Sequence, residues 1–506
     1  MKGRRVVLRR ARSRPVTAGA TQRQGPVRGV AREAAQVQEA ARVREPVVIR
    51  VRKWLRAKMS RERYVIVGAG ISGLATALLL AKQKPDAEIE VWEATRETGG
   101  LLAPVDFTGV ACDRGSHRIH PQADPLLLQM TAQQGWQSRP RRGRLVLNQR
   151  HIHYPLRLLG FLRGLGWQNS MQMGWGFVRR PGSFRSFLQW ESQRTLVEAE
   201  DQGFEAFVKE RVGDAAYQHF YRPYVEKVWG MPPEELSKTV AKQRVSMTNP
   251  MKILLHKLAS VGQKLPATFL YPKYGMSSLV EWMFAQARKQ GVQFRMETDV
   301  SHRNIQSMDA SAIFFSGHLS ALAPDYQLNH RGLYLLYMTV PQGAVEACDT
   351  FYLPEARYWF GRVSQISQFS EALSKQGQTI LCLEIPEGNW GPHKDFFEDW
   401  PMLHAQLKAS GILKTSVALL AQHQLYMPRV YPMYTRSWVD RWKRAVDEVT
   451  RMERVFLMGR QGLFLHCNMD HCVRIAKEAV ACAIEKRCSK AWRKQVDQFL
   501  DLRVRD

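Results

Sequence analysis

The most constraining feature of the sequence is a glycine-rich turn between a predicted buried strand and a predicted helix. Residues 64–67 read Tyr-Val-Ile-Val, residues 68–73 read Gly-Ala-Gly-Ile-Ser-Gly, and the apolar, glycine-free stretch 74–81 is typical of a helix. A second predicted strand, 89–93, ends in Glu93, 20 residues after the third glycine. Such glycines permit a tight turn, close approach of a pyrophosphate and close helix–strand packing, and such an acid accepts hydrogen bonds from a ribose. The unit predicts a dinucleotide-binding domain whose helix N-terminus faces the phosphates.

A second pair of glycines indicates which dinucleotide is bound. Residues 99–102 read Gly-Gly-Leu-Leu, and residues 113–117 read Asp-Arg-Gly-Ser-His. A nicotinamide cofactor does not need a glycine pair just past the ribose acid. The segment resembles the extended FAD-binding segment of the flavin amine oxidase superfamily, in which the chain continues along the pyrophosphate towards the isoalloxazine. No second strand–GxGxxG–helix unit follows in the sequence, so FAD is the predicted cofactor and a separate nicotinamide domain is not expected.

The remaining pattern predicts an α/β fold in which a discontinuous Rossmann-like FAD-binding domain carries an inserted α+β substrate domain. The predicted elements are a hairpin over 143–154, a mostly helical region from Pro155 to about Leu265, a helix over 275–290, strands over 292–300, 332–340, 350–362 and 379–385, and a strand–turn–helix over 455–487. The predicted boundaries are a basic leader (1–58), three FAD-binding segments (59–140, 266–328 and 451–490), a helical insertion (141–265), a substrate-domain sheet (329–450) and a C-terminal tail (491–506).

Three further motifs narrow the resemblance. Residues 220–236 contain Tyr-Val-Glu-Lys-Val-Trp-Gly and then Pro-Pro-Glu-Glu-Leu, residues 271–276 read Tyr-Pro-Lys-Tyr-Gly-Met, and residues 459–470 read Gly-Arg-Gln-Gly-Leu-Phe-Leu-His-Cys-Asn-Met-Asp. They resemble motifs of the UDP-galactopyranose mutase-like branch of the flavin amine oxidase and protoporphyrinogen oxidase-like superfamily, over about residues 64–485. The resemblance implies that the last motif contacts the flavin and that a helix beginning at its Asn-Met-Asp points its N-terminus at the ring.

The resemblance also implies two sets of ligand-binding residues. The cofactor would be held by Gly68, Gly70, Ser72, Gly73, Glu93, Gly99, Gly100, Leu101, His117, Val300, Gly459, Asn468, Met469 and Asp470. The substrate pocket would be lined by Tyr224, Trp229 and Arg362. Structural alternatives stay open for them: glycines that serve turns and packing, a hydrogen-bonded structural histidine, a core aromatic pair and a solvated arginine.

One departure from the branch's pattern bears on the reaction. Mutases of the branch usually carry an arginine in the last motif, whereas this chain has Phe464-Leu465-His466, and Leu465 cannot bind a diphosphate. We therefore expect an FAD-dependent oxidoreductase, an oxidase or desaturase that takes a hydride from a fairly large organic substrate onto flavin N5. The alternatives are a redox-neutral UDP-galactopyranose mutase-like isomerase and a non-catalytic flavin-binding protein. No general base is assigned, and oxygen or a quinone is the expected electron acceptor.

The positive net charge of the chain bears on which ligands and partners it can bind. The chain has 74 Lys and Arg against 46 Asp and Glu, a net charge of +28. Residues 1–60 hold 17 of the basic residues and three acidic ones, so half of the net charge lies in a leader without a packing pattern. An upstream start in error, with Met59 as the natural first residue, is the favoured interpretation. A transit peptide and a basic arm for an anionic partner are the alternatives. The charge outside the leader suits a small anionic substrate.

The cysteines, an arginine cluster and an apolar stretch give further predictions about compartment, substrate and membrane contact. Seven cysteines without a zinc-like spacing predict a reducing compartment, by default the cytoplasm, and no metal site. Arg139, Arg141, Arg142 and Arg144 either form a solvated loop or attract the anionic substrate. The apolar stretch 156–177 either rests on a membrane surface, as a peripheral contact, or covers the substrate channel. No nucleic-acid partner is expected.

Overall fold

The computed structural model describes residues 62–132, 135–154, 201–214, 217–244, 268–485 and 489–502. The leader 1–58, the stretch 156–177 and much of the predicted helical region 155–265 lie outside the described residues. Their predicted roles remain predictions.

The strands run in chain order as β1 (Arg63–Val67), β2 (Glu88–Trp92), β3 (Pro104–Phe107), β4 (Val110–Asp113), β5 (Trp136–Pro140), β6 (Gly143–Leu147), β7 (Arg150–Tyr154), β8 (Thr268–Pro272), β9 (Gln293–Arg295), β10 (Ala312–Phe315), β11 (His330–Pro341), β12 (Thr350–Tyr352), β13 (Arg362–Gln365), β14 (Gln378–Pro386), β15 (Ala421–Pro432) and β16 (Val455–Leu457). The predicted hairpin over 143–154 is therefore observed as β6 and β7.

The α-helices are α1 (Ile71–Gln83), α2 (Pro125–Ala132), α3 (Phe204–Val212), α4 (Arg222–Trp229), α5 (Lys238–Arg244), α6 (Met276–Lys289), α7 (His302–Ser307), α8 (Leu319–Leu322), α9 (Ile366–Phe369), α10 (Trp400–Ala409), α11 (Trp438–Thr450), α12 (Gly459–Gly462), α13 (Met469–Ile484) and α14 (Ser489–Val496). Within the described part of the chain, no helix is long and apolar enough to cross a membrane.

The first sheet is parallel and has the order β16-β10-β1-β2-β9. Its strands come from three separate stretches of chain, and the central strand β1 is almost fully buried. A parallel strand needs cover on both faces, which is why these strands are apolar runs rather than alternating ones. Helix α1 packs beside the sheet and against α13 from the C-terminal stretch. This arrangement confirms the predicted α/β class and its Rossmann-like unit.

The second sheet has the order β15-β11-β14-β13-β12-β6-β7. All its pairs are antiparallel except β12 with β6, which is parallel. One apolar cluster surrounds the first sheet and reaches part of the second, and another lies on the second sheet alone. A short pair, β5 with β8, joins residues before and after the inserted region.

Two predicted strands differ from the structure. The predicted strand 350–362 is split into β12 and β13, because Tyr358 and Phe360 turn into the second core between them. The predicted strand 292–300 shrinks to β9, since Glu297 adopts a φ of 53°, which a continuous strand does not allow.

Candidate cofactor and substrate site

A cavity of about 1030 Å³ opens at the carboxyl ends of the first sheet's central strands. Its wall there is formed by Gly68 after β1, Glu93 after β2 and Ser316 after β10. In open α/β sheets, ligands bind outside the carboxyl ends of the strands. The volume lies at the upper end of the range for ligand sites, so a large ligand such as a dinucleotide fits it.

The glycine-rich turn has the geometry that close approach of a phosphate requires. Gly68 has a φ of +97° and donates its N–H to Trp92 O over 2.8 Å. A Cβ on Gly73 would lie 1.8 Å from Gly68 O, so the third glycine is required by helix–strand packing. Gly70 is the N-cap of α1 and no side chain caps the helix there, so its first N–H groups remain free for an anion.

Glu93 is held in place beside this turn. Its Oε2 accepts the N–H of Ala69 at 2.8 Å, and its Oε1 accepts the N–H and hydroxyl of Thr95 at 3.0 and 2.8 Å. A carboxylate has about four lone-pair sites, so capacity is left for ribose hydroxyls. Val300 lies on the same cavity wall, two residues after Thr298, whose N–H donates to Glu93 O.

The second glycine pair packs directly on the first turn. Gly99 forms a parallel bridge with Gly70, donates its N–H to Ala69 O at 2.8 Å and has a φ of +112°. Gly100 and Leu101 follow along the cavity wall. The predicted continuation of the chain along the cofactor is thus consistent with the geometry.

His117 faces the cavity with a buried, unpartnered ring nitrogen. Among the described residues, nothing forms a hydrogen bond with its Nδ1. Burial, with help from Arg362 and Arg460, lowers the pKa of His117 to about 4, so the ring is neutral near pH 7. Its loop is anchored by the N–H of Ser116, which donates to Glu384 Oε1 at 3.0 Å.

The predicted substrate residues meet at this cavity. Tyr224 and Trp229 lie on α4, and both line the wall. Arg362 also lines it, but its guanidinium forms two hydrogen bonds with Glu384, at 2.7 and 2.5 Å. Glu384 thereby holds both Arg362 and the loop that carries His117.

Several arginines that were not predicted as site residues also line the cavity. They are Arg114, Arg118, Arg429 and Arg460, and Arg141 joins them from the predicted basic cluster. Arg118 forms an ion pair with Asp349 at 2.7 Å and lies over the rings of Phe269 and Phe369. Arg114 and Arg460 lie within the predicted flavin-side motifs 113–117 and 459–470, and Arg118 directly follows the first of them. No motif surrounds Arg429 that would have indicated this site.

The other predicted basic residues point elsewhere. Arg139 pairs with Glu371, and Arg144 pairs with Glu346. Arg142 does not line the cavity, and its backbone N–H donates to Asp349. Of the predicted cluster, therefore, Arg141 alone contributes to the wall.

The C-terminal motif contributes two of its predicted residues directly. Asn468 and Met469 line the cavity at the start of α13, whereas Asp470 does not, although it lies in the same first turn. Gly459 does not line it either. A Cβ there would lie 2.5 Å from Ser72 Oγ, so this glycine lets α12 pack against the first turn. Gly73 is likewise a packing residue behind the wall.

Taken together, the residues present fit a bound FAD. The uncapped helix N-terminus suits the pyrophosphate, Glu93 suits a ribose, and the orphan nitrogen of His117 lies further along the same cavity. Gly68, Gly70, Ser72, Gly99 and Gly100 leave room for the cofactor to approach the backbone.

Comparisons with known proteins agree with this geometry. Residues 66–133 match the NAD(P)-binding Rossmann-like domain family, and residues 219–398 match the UDP-galactopyranose mutase family. A crystal structure of reduced UDP-galactopyranose mutase superposes with a TM-score of 0.69 at 17% identity, covering 87% of this chain and 99% of that one.

Two protein relatives are enzymes of different kinds. The chain is 20% identical to dTDP-fucopyranose mutase of Escherichia coli, over 83% of this chain and 97% of that protein. It is 26% identical to the chloroplast protoporphyrinogen oxidase of Nicotiana tabacum, over 36% of this chain. The chain spans about a third of the length of the plant protoporphyrinogen oxidases it matches.

The fold defines the structural class: solved structures of UDP-galactopyranose mutase, of a protein described as a protoporphyrinogen oxidase and of cyclohexylamine oxidase share it. Within that class, this chain combines a Rossmann-like dinucleotide-binding domain with a UDP-galactopyranose mutase-like domain. The resemblance predicted from the motifs is confirmed, and FAD is confirmed as the cofactor of this group.

Proposed function

We propose that this protein is an FAD enzyme whose substrate is an organic anion, bound next to the flavin. The observation that carries the proposal is the charge of the cavity beyond the ribose end. Arg118, Arg141, Arg362, Arg429 and Arg460 line it, and among its described lining residues Glu384 is the one carboxylate there. Described carboxylates pair with Arg118 and Arg362. No ion pair among the described residues includes Arg141 or Arg429, so these two line the cavity as the candidates to bind an anion.

The reaction we favour is the redox-neutral isomerisation of a nucleotide-linked sugar. The mutase-like segment 219–398 carries Tyr224, Trp229 and Arg362, all of which line the cavity. Leu465, the reason to expect a different reaction, is buried and does not line the wall, and other arginines supply the cations that a diphosphate needs. Reduced FAD would supply a nucleophilic N5 for this chemistry, and oxidised FAD a hydride acceptor for the alternative.

The chain's own residues would bind and position the substrate. Arg141 and Arg429 would bind the diphosphate, while Tyr224 and Trp229 would cover the apolar faces of the sugar and exclude water. His117, neutral near pH 7, would donate or accept one hydrogen bond towards the ring system.

The second candidate is the oxidation of a fairly large anionic molecule such as a porphyrinogen. It is favoured by the similarity to protoporphyrinogen oxidases. In this case oxygen or a quinone would accept the electrons, and contact with a membrane surface remains part of the proposal, as does a cytoplasmic location.

One experiment compares the candidates. The FAD-loaded protein, reduced with dithionite without oxygen, is offered UDP-galactopyranose and dTDP-fucopyranose, and the products are separated by chromatography. The oxidised protein is offered porphyrinogens under air. Ring isomerisation by the reduced form alone supports the mutase reaction. Multiple turnovers of a porphyrinogen would support the oxidase reaction and contradict the mutase reaction. If neither assay yields a product while FAD is still bound, both candidate reactions are contradicted.

A further inference from the structure

Two cysteine thiols touch each other in the wall of the cofactor cavity. The Sγ atoms of Cys467 and Cys472 are 3.6 Å apart, both residues are buried, and both line the cavity. The other described cysteines, Cys112, Cys348, Cys382 and Cys482, are buried away from this wall.

The pair lies at the start of α13, where Ser72 of the first turn of α1 is a hydrogen-bond partner of Cys472. Cys467 directly precedes the N-cap Asn468, and Cys472 lies one turn into the helix, where its N–H donates to Asn468 O at 3.0 Å. Arg460 donates to Cys467 O at 3.2 Å, so a guanidinium lies beside the pair. Positive charge and a helix N-terminus both favour a thiolate.

The two thiols are not equivalent. A hydrogen bond from Cys467 lowers the pKa of the Cys472 thiol, with further help from Ser72 and Arg460. The same hydrogen bond raises the pKa of Cys467. Cys472 is therefore the more acidic thiol of the pair, and thiol–disulfide exchange proceeds through the thiolate.

We propose that Cys467 and Cys472 are a redox-active pair that forms a disulfide reversibly and passes its two electrons to the bound flavin. A disulfide has an S–S distance of about 2.05 Å, so the sulfurs must approach by roughly 1.5 Å. In the balanced step, the Cys472 thiolate and the Cys467 thiol become one S–S bond. Bound FAD would accept the two electrons and the thiol proton, which balances the loss of both from the cysteine pair. A small dithiol then returns the disulfide to two thiols.

This transfer would give the enzyme a source of reduced flavin without a nicotinamide domain. The electron transfer rests on FAD binding as proposed above, whereas disulfide formation does not. Neither step needs the sugar or any other substrate, so failure of the proposed reaction and failure of the cysteine pair are distinguishable.

The first experiment tests the bond. Protein with and without FAD is oxidised with diamide and digested with trypsin. The mass of the peptide that contains both cysteines is then measured by mass spectrometry. We expect it to lose two hydrogens in the wild type and in the control Cys482→Ser, and to regain them with dithiothreitol. Cys467→Ser and Cys472→Ser should show no such loss. A peptide that keeps its mass in the wild type would overturn the proposal.

The second experiment tests the electron transfer. The FAD-loaded protein is mixed with dithiothreitol without oxygen, and bleaching of the flavin is followed by absorbance. We expect the flavin of Cys467→Ser and of Cys472→Ser to bleach at least about tenfold more slowly than that of the wild type and of Cys482→Ser. FAD content is measured for every variant, so a loss of cofactor is not mistaken for a loss of rate. Equal rates in variants that retain FAD would overturn the transfer.

Discussion

At the residue scale, Gly70 and Gly73 have different roles, although they are three positions apart. Gly73 is limited by packing, since an added Cβ would meet a backbone oxygen at 1.8 Å. Gly70 has ordinary backbone angles, with a φ of −74°, and its added Cβ would approach Gly99 O at a comfortable 3.9 Å. Because Gly70 lines the cavity, that methyl would occupy space that a cofactor needs.

We predict that Gly73→Ala destabilises the fold and that Gly70→Ala does not. The first should lower the free energy of unfolding by about 3 kcal/mol, because the backbone of β1 or α1 must move. The second should change it by about 0.5 kcal/mol or less but weaken FAD binding. Thermal unfolding of the FAD-free proteins and FAD titration measure the two effects. A stable, FAD-binding Gly73→Ala variant would contradict this division.

Glu93 should matter for the cofactor more than for the fold. We propose that its carboxylate binds a ribose of FAD. Replacing it with alanine would then remove hydrogen bonds to a charged group, a loss of about 1.5–3 kcal/mol, roughly tenfold to a hundredfold in affinity. Glu88→Ala, at the opposite end of β2, is the matched control. Retained FAD is quantified after gel filtration and denaturation; equal retention in both variants would refute the ribose role.

At the element scale, one buried carboxylate connects three elements from two distant stretches of chain. Asp113, at the end of β4, accepts the hydroxyl of Tyr271 in β8 at 2.6 Å and the N–H of Met276 at the start of α6 at 2.9 Å. It thereby fixes the return of the chain to the first sheet beside the loop that carries His117.

We predict that Asp113→Asn is destabilising. The amide would turn an N–H₂ group towards one of the two donors, and an unmade buried hydrogen bond costs about 1–3 kcal/mol. Asp106→Asn, exposed on the neighbouring strand β3, is the control and should leave stability unchanged. Chemical denaturation gives the comparison. Equal midpoints and slopes for the two variants would contradict it.

The same carboxylate should give a pH dependence of known sign. Burial raises the pKa of Asp113 to about 6 from its ordinary 3.8, despite its hydrogen bonds. The folded protein therefore keeps a proton that the unfolded chain loses, and this contribution to the unfolding free energy falls as pH rises from about 4 to 6. Asp113→Asn should lack that slope, and Asp106→Asn should keep it, when unfolding is measured across this range.

At the scale of the whole molecule, the cavity collects cations from both sheets. Arg429 lies in β15, one edge strand of the second sheet, and Arg141 precedes β6, the strand next to the other edge, yet both reach the same wall. Surplus positive charge in a concave wall attracts anions and is weakened by salt.

We predict that Arg141→Gln and Arg429→Gln each weaken binding of the anionic substrate about tenfold, because each loses a charge-assisted hydrogen bond. UDP is the probe, since it carries the diphosphate without the sugar, and calorimetry at low and high salt is the measurement. The control Lys443→Gln removes an exposed charge from α11. If all three variants bind UDP as the wild type does, the cavity's arginines do not recognise the diphosphate.

The sequence by itself determined the elements whose signals are local. The strand–glycine–helix–strand unit is recognisable because a tight turn, a helix start and an acid at a set distance depend on neighbouring residues. The predicted helix over 275–290 is observed as α6, and the apolar runs at 332–340 and 379–385 as β11 and β14. The split of the predicted strand 350–362 was not predicted. Tyr358 and Phe360 leave the strand because they pack into a core whose other residues are distant in sequence.

The tertiary structure alone decided which residues share the cavity. Arg118, Arg141 and Arg429 come together from three separate places, and no spacing in the sequence encodes that meeting. The contact of Cys467 with Cys472 likewise depends on how the loop enters α13, since five residues of separation allow many distances. Local backbone preferences are encoded within a few residues, whereas burial and charge at a site depend on which distant segments pack together.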